Sequence, residues 1–292
     1  MLNIPSIYFT SDILHRLEYS EDYFETNKYK IKMPGQLKLL LNEIRFLTEG
    51  VEIQNMSDKK FTVLYIGSGK GYHIPLLISL YEKYDIHWIF FDPNGHCDKL
   101  YEYKKLSTKK IDIYDEYFTD KNIEEFKHID NLLFISDIRS TINCKKDLVD
   151  VSPSTKDLLH DYKIQNNVLK QLNPLFSLVK FRMPFPDDWD ESYEFEKPIG
   201  SEYIQAFTKN TSNEFRIFIN STIVFETIKN IEELKKYEEK FSWYNREYRI
   251  QTENDLNIAY YIFKNYYNIE LPSKNIKRKD IIKFLITIQR SY

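Results

Sequence analysis

The chain has 292 residues, two cysteines and nearly balanced charge, with 41 Lys plus Arg against 44 Asp plus Glu. That length suits one large α/β domain or two small ones. The balance excludes a global electrostatic drive toward nucleic acid and leaves only a local basic face, while Cys97 and Cys144 provide neither a disulfide framework nor a metal cluster. No apolar run reaches membrane-spanning length and the N-terminus has no signal-peptide pattern, so reducing, intracellular conditions are expected.

Residues 1–34 have weak periodicity and read as an N-terminal arm. Leu37, Leu40, Leu41, Ile44 and Leu47 recur at helical spacing after Pro34-Gly35, predicting a helix from Gln36 to Thr48. The apolar run Phe61 to Ile66 is expected as a buried parallel strand. Gly67, Gly69 and Gly71 follow, three of the chain's seven glycines within five residues, and His73 to Leu80 reads as the start of a helix. Further strands are expected at 87–92, near Lys110–Ile113, at 131–137 and at 175–183, with a short helix at 121–128. Ile138 to Val151 reads as a polar loop. A long helix is expected from Pro153 to Asn173, with Ser152 as its N-cap. Ser201–Ala206 and Glu214–Asn220 look like a hairpin, and helices follow near 230–243, 255–267 and 278–290. Strands alternating with helices predict a doubly wound, mostly parallel sheet. With no internal repeat and no long linker, residues 1–292 read as one domain, and 246–292 as a helical extension.

Strand, glycine loop and helix together make a nucleotide-type cradle, because glycine lets backbone approach a ligand and a helix N-terminus offers free N–H donors. The dinucleotide spacing would need glycine at Tyr72, and the P-loop spacing would need a Gly-Lys-Ser/Thr run that is missing. The remaining pattern, G-x-G-x-G, is that of doubly wound S-adenosylmethionine-dependent methyltransferases. Asp92, at the end of the second strand, is placed to bind ribose hydroxyls; capping a turn with Pro93-Asn94-Gly95 is an equally good reading. Asp137 also ends a predicted strand, and Glu214 begins one. Lys180 interrupts an apolar strand, so its ammonium must meet a polar cavity or a carboxylate.

Several segments carry a resemblance. They are Gly35-Gln36-Leu37-Lys38-Leu39-Leu40-Leu41, Val63-Leu64-Tyr65-Ile66-Gly67-Ser68, Ile135-Ser136-Asp137-Ile138-Arg139-Ser140, Pro153-Ser154-Thr155-Lys156-Asp157-Leu158-Leu159 and Pro184-Phe185-Pro186-Asp187-Asp188-Trp189, with Tyr237-Glu238-Glu239-Lys240 matching more loosely. In these the chain resembles the poxvirus cap-specific mRNA (nucleoside-2′-O)-methyltransferase family, which also serves as regulatory subunit of the viral poly(A) polymerase. The resemblance covers residues about 19 to 245 in order. It implies the class I S-adenosylmethionine-dependent methyltransferase fold, with a seven-stranded sheet and extra helices. It also implies methyl transfer from S-adenosyl-L-methionine to the 2′-hydroxyl of the first transcribed nucleotide, with no metal, in the virion and host cytoplasm. The implied partners are m7G-capped mRNA and a poly(A) polymerase catalytic subunit in a heterodimer.

The family's Lys-Asp-Lys-Glu tetrad falls on Lys38, Asp137, Lys180 and Glu214. Its donor pocket falls on Gln36, Tyr65, Gly67, Gly71, His73, Asp92, Asp137 and Ile138, and its cap pocket on Tyr19, Phe185, Asp187 and Glu238. Methylated guanine is cationic and stacks well on aromatic rings, while carboxylates accept its N–H donors. Arg139, Lys145, Lys146 and Arg182 are candidates for RNA contacts. Departures from the family pattern are Asn94 for an arginine, Gly69-Lys70 for Ala-Pro and Thr211 for a tyrosine. Three functions are weighed: an active cap methyltransferase, a non-enzymatic RNA-binding processivity subunit, and a methyltransferase acting on another RNA hydroxyl. The intact tetrad favours the first.

Overall fold

The computed structural model describes residues 18, 34–140, 153–209, 211–220, 222–249, 254–270, 277, 279–280 and 283–285. Seven strands form one sheet: β1 (Phe61–Ile66), β2 (Ile86–Phe91), β3 (Ile111–Tyr114), β4 (Leu132–Ser136), β5 (Phe176–Arg182), β7 (Ser201–Ile204) and β8 (Glu214–Ile219), in the order β3-β2-β1-β4-β5-β8-β7. Every pairing from β3 to β5 is parallel, and β8 runs antiparallel to both neighbours. The two remaining strands, β6 (Phe195–Pro198) and β9 (Phe225–Ile228), pair with each other in a small antiparallel sheet that the sequence reading lacks. Each is four residues long, and Pro198 ends the first.

All six residues of β1 are buried, as expected of a strand covered on both faces. Val63 and Tyr65 face one apolar layer, built with α1 (Pro34–Arg45), α2 (Ile74–Leu80), α3 (Asp98–Leu106) and α7 (Asn254–Glu270). Leu64 and Ile66 face the other, built with α4 (Asp120–Phe126), α5 (Thr155–Leu172) and α6 (Ile231–Trp243). This is the three-layer arrangement of an α/β domain. Leu256, Ile262 and Phe263 of α7, within the expected C-terminal extension, share the apolar layer of Leu37 and Leu40 on α1. No described helix is long and apolar enough to cross a membrane.

The α5 boundary corrects the sequence reading. The helix starts at Thr155 and its N-cap is Ser154, while Ser152 lies outside the described residues. Ser154 Oγ accepts from the Asp157 N–H at 3.2 Å, and Asp157 Oδ2 accepts from the Ser154 N–H at 3.1 Å. This reciprocal box satisfies two helix-start donors. The last expected helix falls mostly outside the described residues; 279–280 and 283–285 are helical.

Strand order reverses between β1 and β4, so their carboxyl ends open a crevice where open α/β sheets bind ligands. Gly67, Asp92 and Asp137 directly follow β1, β2 and β4, three adjacent parallel strands.

Candidate active site

The glycine loop is fastened to the turn after β2. The Gly67 N–H donates to Phe91 O at 2.8 Å, the Gly69 N–H to Asp92 Oδ2 at 2.7 Å and the Asn94 N–H to Asp92 Oδ1 at 2.9 Å. Asp92 therefore caps the turn, while also lining a cavity of about 370 Å³ that Gly67, Gly69, Asp137 and Ile138 share. Gly67 has φ +73, and a Cβ there would lie 2.6 Å from Ile138 N. Only glycine allows this crossing of the β1 and β4 loops. Gly69 has open space around its Cβ position, whereas that of Gly71 faces the Ile74 and Leu100 side chains.

Gln36, Tyr65 and His73 lie behind the loop and outside the cavity lining. His73 is fully buried, with Nδ1 2.8 Å from Gln36 Oε1 and Nε2 2.8 Å from Glu43 Oε1. Burial, then the Glu43 charge, pushes the Tyr65 hydroxyl well above its usual pKa. These groups pin the first turns of α1 to the glycine loop, and Lys38 sits on that anchored segment.

The four tetrad positions converge from α1, β4, β5 and β8. Lys38 Nζ lies 2.6 Å from Glu214 Oε1, and Lys180 Nζ lies 3.2 Å from Asp137 Oδ1 while donating to the Asp137 carbonyl at 2.9 Å. Their side chains are 15–20% exposed, in reach of a substrate yet largely desolvated. Arg216, 2% exposed, joins the two pairs, with Nη2 2.7 Å from Asp137 Oδ1 and 3.7 Å from Glu214 Oε1. Gln205 completes the frame, donating to Glu214 Oε1 and accepting from Arg216 Nε and Asn42 Nδ2, each at 2.9 Å. Burial alone would raise the carboxyl pKa values. Arg216 and Lys180 hold Asp137 lowered, and Lys38, Lys180 and Arg216 hold Glu214 well below the usual range. Burial would also neutralise Arg216, but Asp137 and then Glu214 reverse this and raise it.

Sequence reasoning missed Arg216, Gln205, Asn42 and Glu43. Arg216 carried the same signal as Lys180, a cation within an apolar strand, two residues from Glu214 and so on its face. Gln205 and Asn42 have no such signal.

A second cavity of about 350 Å³ is lined by Arg182, Phe185 and Thr211 among others, and meets the first at Lys38, Lys180 and Glu214. Ile138 and Arg139 also line both. The Arg182 guanidinium lies 4.4 Å from the Phe185 ring centroid and donates to Pro153 O at 3.0 Å. Asp187 is exposed in the turn Pro186–Asp188, and half-buried Glu238 on α6 has its pKa raised by burial, then by the charge of Asp187. Those two carboxylates are thus neighbours. Tyr19, Lys145 and Lys146 lie outside the described residues. The carbonyl of Glu18, next to Tyr19, accepts from Ser242 Oγ and Arg246 Nη1, each at 3.0 Å. Among the described residues no group of three acidic, His or Cys side chains could hold a metal.

A family model described as "Poly A polymerase regulatory subunit" matches residues 1–291. The chain is 33% identical over 212 residues to a "Cap-specific mRNA (nucleoside-2'-O-)-methyltransferase" of Fowlpox virus (strain NVSL), covering 72% of this chain and 65% of that protein. It is 32% identical over 250 residues to the protein of that name from Myxoma virus (strain Lausanne), covering 83% of this chain and 69% of that protein. The chain thus spans about two thirds of the length of these relatives. Given a family match over nearly its whole length, the chain belongs to the poly(A) polymerase regulatory subunit family.

Proposed function

We propose that the chain transfers the methyl group of S-adenosyl-L-methionine to the ribose 2′-hydroxyl of the first transcribed nucleotide of m7G-capped mRNA. The observation that carries this reading is the meeting of two cavities at the interlocked Lys38–Glu214 and Lys180–Asp137 pairs. One cavity suits a donor and the other an acceptor, and the paired groups stand where the two would touch.

The donor cavity has the volume of a small-molecule site. Each Asp92 oxygen accepts one backbone N–H and keeps a lone pair for a ribose hydroxyl. Phe91, Phe118 and Ile138 offer apolar walls for a flat base. S-adenosyl-L-methionine, when bound, supplies an electrophilic methyl on a sulfonium.

A ribose hydroxyl is a weak nucleophile until its proton is removed or held away. Two of the three positions on Lys180 Nζ face Asp137, which leaves one for the 2′-hydroxyl. Lys180 must first release one of its three protons to solvent, and its lone pair then takes the hydroxyl proton as the oxygen–carbon bond forms and the carbon–sulfur bond breaks. Asp137 fixes the direction of Lys180, and Glu214 fixes Lys38 beside it. Arg216 keeps both acids ionised, so the frame is set before substrate arrives. The cap stacks on Phe185, with Tyr19 as its second ring, and its N–H donors reach Asp187 and Glu238. Arg139 and Arg182 meet the adjoining phosphates.

The family description supports a second, coexisting role. The chain binds RNA as the processivity partner of a poly(A) polymerase catalytic chain, in the virion and host cytoplasm. Lys180→Ala tests the first role. Methyl transfer to capped RNA should vanish while binding of S-adenosylhomocysteine, measured by calorimetry, stays within about twofold. Retained transfer would remove Lys180 from the chemistry. Longer tails made by the polymerase chain when this protein is added test the second role.

A further inference from the structure

The exposed face of α5 is a basic stripe that leads away from the tetrad. Lys156, His160, Lys163 and Lys170 are exposed along it, and half-buried Asn167 fills the remaining step. The spacing of four, three, four and three residues keeps them on one helix face over about 21 Å. The helix's own acids point inward, Asp157 and Asp161 being 0% and 4% exposed, so no acidic side chain of α5 shares the stripe.

The stripe is not uniform. At its far end the Lys170 ammonium is paired with Glu196 and lies 4.7 Å from the Phe225 ring centroid, while Asn167 donates to Asp120 at 3.0 Å. At its near end Lys156 and Lys163 make no ion pair among the described residues. Lys156 lies near enough to exposed Asp190 to help Ser192 lower that carboxyl's pKa, and Lys163 shares its groove with Asp120, so in a chain of net charge −3 the two lysines make a modest local positive field.

Placement selects the ligand. The buried side of α5 gives Asp161 to both cavities and Ile164 to the donor cavity. One step around the helix, Ile164, His160 and Lys163 line a shallow groove of about 320 Å³ with Phe118. The groove adjoins the donor cavity at Phe118 and Ile164, and Asp161, one turn before Ile164, lines both cavities, so a polyanion leaving the tetrad along α5 would cross the stripe. Lysines two turns apart on one helix face, beside an aromatic ring, suit the backbone and bases of single-stranded nucleic acid. An acidic protein surface would need no continuity with the cavities.

We infer that the exposed stripe Lys156–His160–Lys163 of α5 is the track for single-stranded RNA downstream of the nucleotide at the tetrad. The inference rests on the reading of the tetrad as an RNA-modifying site.

The test uses the full chain with capped, 3′-fluorescein-labelled RNAs of about three and about twelve nucleotides, binding being followed by anisotropy across salt. Wild type should hold the longer RNA several-fold tighter at low salt. In K156E/K163E that gain should disappear, and the salt slope should flatten by about 1.4, since each lost phosphate contact removes about 0.7. The milder K156A/K163A should fall between. Methylation of the short RNA should be unchanged in both variants. An unaltered length gain and salt slope in both variants would overturn the inference. So would RNA binding that stays intact while a poly(A) polymerase catalytic chain is no longer captured, which would mark the stripe as a protein interface. Failure of wild type to methylate the short RNA would refute the tetrad reading instead, and the length and salt data would still judge the track.

Discussion

Replacing Arg216 by methionine tests the electrostatic frame. Methionine keeps much of the volume and removes a 2% exposed charge that lies 2.7 Å from Asp137 and 3.7 Å from Glu214. Deleting one partner of a buried ion pair costs about 3–5 kcal/mol. Lys180 and Lys38 still face the two acids, so the loss should sit at the lower end, about 3 kcal/mol. At roughly 2–4 °C per kcal/mol for a large domain, the melting temperature should drop by about 6–12 °C. The pH dependence has a defined sign. Asp137 and Glu214 have folded pKa values lowered from their ordinary 3.8 and 4.5. Groups of this kind add stability above the ordinary value and lose it as pH falls through the lowered one. Without Arg216, burial pushes both upward, the contribution shrinks and acid unfolding begins at higher pH. Circular-dichroism melts from neutral to acid pH would measure this, with Arg216→Lys keeping the charge but not the bridge to Gln205. A methionine variant that melts within about 2 °C of wild type at every pH, and still transfers methyl groups normally, would refute the frame.

Other predictions concern single positions. Gly67→Ala should weaken S-adenosylhomocysteine binding at least tenfold by calorimetry, because its Cβ meets Ile138 N at 2.6 Å and φ is +73. Glu238 has a raised folded pKa, so its charge lowers stability above that pKa, and the penalty fades as pH drops toward the ordinary 4.5. Glu238→Gln should therefore raise the melting temperature at neutral pH, lose that advantage in acid, and weaken cap-analogue binding in fluorescence titrations. Ser154→Ala should cost about 0.5–2 kcal/mol in urea unfolding by removing the α5 cap, with little change in donor affinity.

What the sequence made legible follows from how local each signal is. The central strands are unbroken apolar runs, and the glycine loop is punctuated by residues whose φ values, +73, +60 and +66, explain their presence. Lys180 was visible because a cation in an apolar strand needs a partner. Lys38 was not, because a lysine in the first turns of a helix is ordinary, and its partner Glu214 stands 176 residues away. Only family resemblance brought it forward. Gln36 and His73 were expected in the donor pocket, but they join each other and Glu43 behind it, a contact that sequence spacing cannot express. Four-residue strands such as β6 and β9 carry too few residues for periodicity to register.

The proposed chemistry turns on Lys180, oriented by Asp137, acting on the 2′-hydroxyl of a capped RNA. The most direct measurement is transfer of labelled methyl from S-adenosyl-L-methionine to RNA ending in m7G, in unmethylated G, or in triphosphate, by wild type and Lys180→Ala. Label is expected on the ribose 2′-oxygen of the first nucleotide with the m7G-capped RNA and wild type alone. Equal labelling of all three RNAs, or undiminished labelling by Lys180→Ala, would contradict it.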